Sequence, residues 1–194
     1  AKVEYCDDFY IDAQRRDFTI NAMSYDLRSQ ILYDYFQGLE NLQAKKVIFI
    51  GDPLQRIEED FLRIMRFFRF SALYAESLDE EGLNACIFKK AKLNDISTER
   101  VNSEFSKIIN NVDSIKVLQK MQDIDILNII FPNIILNIDA LNKLYNEKEQ
   151  RYNQCSLDFK YALLLSNNWN RDIVFNSLKK FKFSNKQQFK IKLL

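Results

Sequence analysis

Residues 52–73, DPLQRIEEDFLRIMRFFRFSAL, constrain the fold of this 194-residue chain more than any other stretch. Asp52 can cap a helix, Pro53 suits its first position, and Gln55 stands where a capping box wants a side chain reaching back. At about 100° per residue, Phe61, Ile64, Met65, Phe68 and Ala72 share one side. Arg56, Glu59, Arg63 and Arg66 share the other, with Asp60 at its edge. The spacing predicts one rigid helix with a packing face and a strip of paired charges.

That strip has a specific chemical use. A carboxylate only accepts hydrogen bonds, and a guanidinium only donates them, in a flat fork. Side by side, Asp60 and Arg63 could accept from an amino group and donate to a ring nitrogen, the pair that cytosine and adenine offer on their Watson–Crick edges. Guanine and uracil present the reverse polarity and would leave polar groups unpaired. The plainer alternative is an i,i+4 ion pair between Glu59 and Arg63 decorating a solvated face.

An apolar content of 47% is enough for a real core. The longest apolar run, 124–138, is interrupted by Asp125, Asn128, Pro132, Asn133 and Asn137, so it is not a membrane span. No signal peptide is evident. Cys6, Cys86 and Cys155 are odd in number and widely spaced, which predicts reduced thiols in a cytoplasmic protein. Histidine is absent, which removes His general bases and His-ligated metals. With a net charge of +1, a nucleic-acid partner would have to be met by a local patch.

Along the chain, strands are expected at 3–5 and 46–50, a hairpin from 22–26 and 31–35, and a short helix over 38–45. Asp79–Gly82 reads as a turn and 83–93 as a helix. Ser97 reads as the cap of a helix buried through Val101, Phe105, Ile108 and Ile109. Its Glu99 and Arg100 are expected to brace rather than to bind. Helices follow over 115–122, 123–130, 139–151, 157–165 and 171–181, and Tyr145, Tyr152, Phe159 and Tyr161 fit packed positions on them.

Four motifs then carry a resemblance: Arg15-Arg16-Asp17-Phe18-Thr19-Ile20-Asn21-Ala22; Gly51-Asp52-Pro53; Glu59-Asp60-x-x-Arg63-x-x-Arg66 with Arg69-Phe70; and Ile96-Ser97-Thr98-Glu99-Arg100 with Glu104-Phe105. In this order they resemble the class II tRNA nucleotidyltransferases (CCA-adding enzymes) and bacterial poly(A) polymerases. The resemblance implies an α+β fold: part of a mixed β head over 1–50, a helical neck over 51–112 and a helical body over 113–194. It implies an RNA 3'-end nucleotidyltransferase using CTP, ATP and Mg²⁺. By resemblance Arg16 and Asp17 would hold the sugar, Asp60 and Arg63 would read the base, and Glu59 and Arg66 would orient them. The motifs are shared by CCA, CC and A addition and by poly(A) synthesis, and do not choose among these.

The sequence also departs from that pattern. The family's hinge commonly carries two glycines before Leu-Glu-Asp-Leu, whereas Gln37-Gly38-Leu39-Glu40-Asn41-Leu42 has one, which predicts a stiffer hinge. The family's upstream Asp-x-Asp, which holds Mg²⁺ for phosphoryl transfer, is expected to be missing, leaving neither catalytic nor metal-binding residues in this chain. Asp123-Ile124-Asp125 has that spacing but is expected to diverge on a helix, and Asp7-Asp8 reads as a loop. The alternative function is a non-catalytic RNA-binding fragment, or half of a split enzyme whose other polypeptide supplies the carboxylates. Lys179, Lys180, Lys182, Lys186, Lys190 and Lys192 form a basic end suited to RNA phosphates.

Overall fold

A computed structural model describes residues 8–111, 113–147, 153–168 and 171–193. The strand expected at 3–5 and Cys6 lie outside them, as does Tyr152. The first unit is mixed. Asp8 accepts a hydrogen bond from the Tyr10 amide (2.8 Å) and caps α1 (Phe9–Gln14), a short helix outside those expected from the sequence. The expected hairpin forms from β1 (Ser24–Asp26) and β2 (Ile31–Tyr33), antiparallel, with Ser24 opposite Tyr33 and Asp26 opposite Ile31. Next comes α2 (Gly38–Gln43). A Cβ on Gly38 would run into the Thr19 carbonyl oxygen, so glycine is what lets α2 close onto the 3-10 turn Thr19–Asn21.

Residues 46–50 are extended but do not form the expected strand. A single bridge joins Phe18 to Phe49, flanked by Thr19 N to Ile48 O (3.0 Å) and Ile50 N to Asp17 O (3.1 Å). Pairing stops there because the facing chain turns away into the 3-10 turn.

The helix expected over 52–73 is two helices. Asp52 caps α3 (Pro53–Glu59) by accepting from Leu54 N at 3.0 Å. At Asp60 the backbone is extended (φ −155, ψ 106), and α4 runs over Arg63–Tyr74. Asp60 Oδ1 accepts from Leu62 N (3.1 Å) and its carbonyl from Arg63 N (2.9 Å). A short carboxylate side chain that captures nearby amides competes with the helix ladder, so Asp60 ends α3 and starts α4.

Asp79 likewise starts a helix instead of marking a turn: it accepts from Gly82 N (2.8 Å) and caps α5 (Glu80–Lys89). A 3-10 segment (Lys90–Asp95) leads to α6 (Thr98–Asn110), whose Val101, Phe105, Ile108 and Ile109 are buried. Then come α7 (Ser114–Asp123), α8 (Ile126–Ile130), α9 (Ile138–Glu147), α10 (Leu157–Leu165), α11 (Arg171–Lys180) and α12 (Asn185–Leu193). The last was not expected, yet Ser184 and Gln187 form a capping box there, Gln187 N donating to Ser184 Oγ (3.3 Å) and Ser184 N to Gln187 Oε1 (3.1 Å).

One apolar core is continuous from Phe18 to Ile191, with Phe67, Phe68, Phe105, Tyr161 and Phe181 deep inside. Tyr145 packs partly buried against it. Cys86 is buried and Cys155 half-buried, both as free thiols. Among the described residues no helix is long and apolar enough to cross a membrane. Helix α4 packs on α6 and α7, which commits its apolar face to the centre, while its Arg63 and Arg66 reach Arg15 and Asp17.

Candidate functional site

Three arginines from α3 and α4 reach the end of α1 and the turn after it. Arg56 Nη1 donates to Gln14 O (3.0 Å), Arg63 Nη2 to Arg15 O (3.0 Å) and Arg66 Nε to Asp17 Oδ2 (2.5 Å). The last carbonyls of a helix lack partners within it, so guanidinium forks are natural company for them. The charged strip is therefore only partly solvated: the side chains of Arg56 and Arg63 are 14% and 13% exposed, while that of Glu59 between them is 39% exposed.

Asp17 is buried and also accepts from Phe18 N (3.0 Å) and Asn21 Nδ2 (3.0 Å). Buried charge of this kind persists when it is paired and hydrogen-bonded. Arg16 turns outward and donates from Nε (2.9 Å) and Nη2 (2.7 Å) to Asp12 and from Nη1 to Asn21 O (3.3 Å). Arg15 shares Asp12 through its own Nε (2.9 Å). Hydrogen bonds from Arg16, then from Arg15, hold the Asp12 carboxyl below its ordinary pKa.

Glu59 lies between Arg56 Nη2 (3.1 Å) and Arg63 Nη1 (2.6 Å). Arg63 Nη1 donates to Arg56 O as well (2.9 Å), so three of the five guanidinium protons are engaged, and two have no partner among the described residues. Asp60 is not paired with Arg63. Its Oδ2 accepts from Arg100 Nη2 at 2.8 Å, and each of its oxygens keeps acceptor capacity.

Behind this layer Phe70 is flanked by Arg66 (5.2 Å to the ring centroid) and Arg69 (4.1 Å), and meets Phe18 edge-on at 5.4 Å. Arg69 is tied to the buried Glu104 (2.9 Å), which Lys107 also reaches at 2.9 Å. Burial lowers the pKa of Arg69, and Glu104 opposes that shift.

The structure thus brings Asp17, Glu59, Arg63 and Arg66 together, with Arg16 beside them through Asn21 and Asp60 following Glu59 at the helix break. They form a face rather than a pocket. A cleft of about 880 Å³ lies elsewhere and is lined by Lys45, Tyr74, Glu76, Lys116, Asn142 and Tyr145 among others. Arg56, Asp12, Asn21 and Arg100 were not singled out from sequence as site residues. Arg100 carried a signal, since a cation in the first turn of α6 opposes the helix dipole and so answers to a partner elsewhere.

The basic end is dispersed. Lys179 Nζ lies 4.3 Å from the centroid of the Phe175 ring, Lys182 is 4.0 Å from Glu99 and Lys190 is 3.5 Å from Asp158. Lys180 and Lys186 are exposed, and the side chain of Lys192 lies outside the described residues. Among the described residues no group of three or more His, Cys, Asp or Glu stands close enough together to hold a metal ion. Asp125 sits in a left-handed conformation at a helix break, with its carboxylate 3.6 Å from Lys90.

Residues 1–48 match the Poly A polymerase head domain, and residues 77–136 match the probable RNA and SrmB- binding site of polymerase A. The human mitochondrial CCA tRNA nucleotidyltransferase 1 is 40% identical over 129 residues, covering 65% of this chain and 30% of that protein. Poly(A) polymerase I of Haemophilus influenzae is 31% identical over 141 residues, 73% of this chain and 30% of that protein. The Bacillus stearothermophilus CCA-adding enzyme, solved in complex with CTP, superposes with a TM-score of 0.80 at 25% identity, over 97% of this chain and 47% of that one. The chain therefore spans about a third of the length of the curated relatives it matches. By its motifs, its matched domains and its fold, this chain belongs to the family of tRNA nucleotidyltransferases and bacterial poly(A) polymerases.

Proposed function

We propose that the chain is the nucleotide-selecting portion of an RNA 3'-end nucleotidyltransferase that takes CTP and ATP. The observation that carries this is the set of three rungs from Arg56, Arg63 and Arg66 to Gln14, Arg15 and Asp17, which ties the Arg-Arg-Asp motif to the Glu-Asp-x-x-Arg motif. Asp60 accepts from the amino group of cytosine or adenine, and the unengaged protons of Arg63 meet the ring nitrogen. Arg16 and Asp17 hold the sugar; Glu59 fixes Arg63, and Arg66 fixes Asp17. Lys179, Lys180, Lys182 and Lys186 contact phosphates of the RNA 3' end. No metal-dependent step is assigned to the described carboxylates, and the chain alone is expected to bind nucleotide weakly without extending RNA.

Equilibrium titration with ATP, CTP, GTP and UTP tests the reading. Binding of ATP and CTP should exceed that of GTP and UTP and fall about tenfold or more in Arg63→Ala. Unchanged affinity in that variant, or no preference in the unaltered chain, would sink it. Robust primer extension by the chain alone with Mg²⁺ would refute the inactive part of the proposal.

A second reading, one half of a split enzyme completed by another polypeptide, is favoured by the apolar face of the first unit. Phe9, Tyr10, Tyr25, Leu27 and Tyr35 are all exposed there, as a surface meant to be covered would be. An open reading frame immediately upstream encoding an Asp-x-Asp pair would support it.

A further inference from the structure

We infer that Arg100 is a positioning residue for base selection, acting through Asp60; this rests on the proposed nucleotide-selecting role. Asp60 has to present an acceptor in a fixed direction, yet it sits in an extended link between two helices, where a carboxylate could swing freely. Two donors stop it. Leu62 N holds Oδ1 at 3.1 Å and Arg100 Nη2 holds Oδ2 at 2.8 Å, one donor on each oxygen, which fixes the plane of the group.

The second donor comes from a helix that has no other reason to put a cation there. Arg100 lies in the first turn of α6, where positive charge is disfavoured by the dipole, while the neighbouring Glu99 suits that turn. The pair is half-exposed, with side chains 52% and 38% accessible, and such pairs add little to folding stability. An arrangement that costs helix stability and gains little elsewhere is explained by what it does to Asp60.

Arg100 also supplies the charge balance. Arg63 is already answered by Glu59, so without Arg100 the Asp60 carboxylate would face an incoming nucleoside triphosphate as an uncompensated negative charge. With Arg100 on one lone pair of Oδ2, the remaining acceptor sites can take an amino hydrogen.

The test is equilibrium binding of ATP, CTP, GTP, UTP, adenosine and cytidine to the full chain and to Arg100→Ala and Arg100→Lys, with thermal melts of each. The expected result is a loss of about tenfold for ATP, CTP and both nucleosides in Arg100→Ala, with a smaller loss for GTP and UTP. The preference narrows, partial recovery follows in Arg100→Lys, and the melting temperature stays close to that of the unaltered chain. An equal loss for all four triphosphates with a lowered melting temperature would show a merely structural role and overturn the inference. So would a loss confined to triphosphates and spared in the nucleosides, which would make Arg100 a phosphate contact. If the unaltered chain prefers ATP and CTP and Arg100→Ala keeps that preference, the inference alone fails; if the unaltered chain shows no preference, the nucleotide-selecting role fails with it.

Discussion

Residues 8–50 and residues 53–193 bury their apolar side chains very differently. In the helical part, Phe67, Phe68, Phe105 and Tyr161 are sealed at 0–1% exposure inside one core. In the first unit a small separate cluster is made of Ala13, Ala22 and Ile50, with Phe36 packed on it. Most of the large apolar side chains left exposed among the described residues fall between Phe9 and Leu42, including Leu27 at 84% and Tyr25 at 55%. The two-stranded hairpin also keeps open edges. The helical part carries the stability, and the first unit is fastened to it in two ways. Phe18 and Phe49 insert against Phe67, with centroids 6.4 Å and 5.6 Å away, and the arginine rungs span the seam. The candidate site lies on that seam, so the nucleotide selection proposed above would draw on the same side chains that hold the first unit in place.

The largest effect should separate the two regions outright. Phe67→Ala is expected to cost about 3–5 kcal/mol, because it opens a cavity where helix α4 and the Phe18–Phe49 bridge meet. Tyr25→Ser, on the exposed hairpin, should change stability by less than about 0.5 kcal/mol. Denaturant melts of the two variants would break the comparison if their costs came out alike.

Next in size is the seam. Arg66→Ala leaves Asp17 buried with its strongest donor gone, and an expected cost of about 2 kcal/mol reflects a hydrogen bond to a charged group. Amide exchange should rise over residues 15–21 while the α6 and α10 amides stay protected. Uniform exchange across the chain would mean that the two regions unfold as one.

What could be read from the amino acids follows the same division. The stripe of α6 and the hairpin were legible because both are set by contacts close in sequence: Val101, Phe105 and Ile108 by helical spacing, and the Arg28-Ser29-Gln30 reversal by Asp26 Oδ1 accepting from Arg28 N at 2.9 Å. The break at Asp60 was not legible, since Phe61 and Leu62 continue the apolar period and hide the local capture of the Leu62 amide by the Asp60 carboxylate, while the partner of its other oxygen, Arg100, is 40 residues away. Helix α1 was hidden for a similar reason. Its end is satisfied by Arg56 and Arg63, far along the chain, and six residues are too short a stretch for helical periodicity to show. The motifs pointed to residues that the structure gathers near one another, but not to their pairing: Asp60 goes to Arg100 and Arg63 to Glu59.

A smaller effect tests how the first unit is set. Gln37 adopts a left-handed backbone (φ 61, ψ 33), and it stands just before Gly38, where the family pattern favours glycine. Gln37→Gly should relieve the strain and stabilise the chain by about 1 kcal/mol. It should also let α2 move more freely against the 3-10 turn, visible as faster exchange at Asn41 and Ala44. A loss of stability instead would show that stiffness at this point is part of how the first unit is held.

The smallest effect concerns Asp12, which belongs wholly to the first unit. Its carboxyl is held below the ordinary value of 3.8 by the hydrogen bonds from Arg16 and Arg15. Between that lowered value and 3.8 the unfolded chain binds the proton and the folded chain does not, so stability rises with pH through the window. The contribution is full above 3.8 and is lost as pH falls through the folded-state value. Arg15 and Arg16 are 63% and 49% exposed, which limits the pair to a few tenths of a kcal/mol, about 0.2–0.5. Asp12→Asn should therefore melt slightly earlier than the unaltered chain at neutral pH, with the difference closing in acid. Because the variant also leaves Arg16 held only through the Asn21 carbonyl, any change in nucleotide affinity would come without a matching change in the helical core. A difference between the two melts that persisted in acid would show that Asp12 holds the end of α1 by packing rather than by charge.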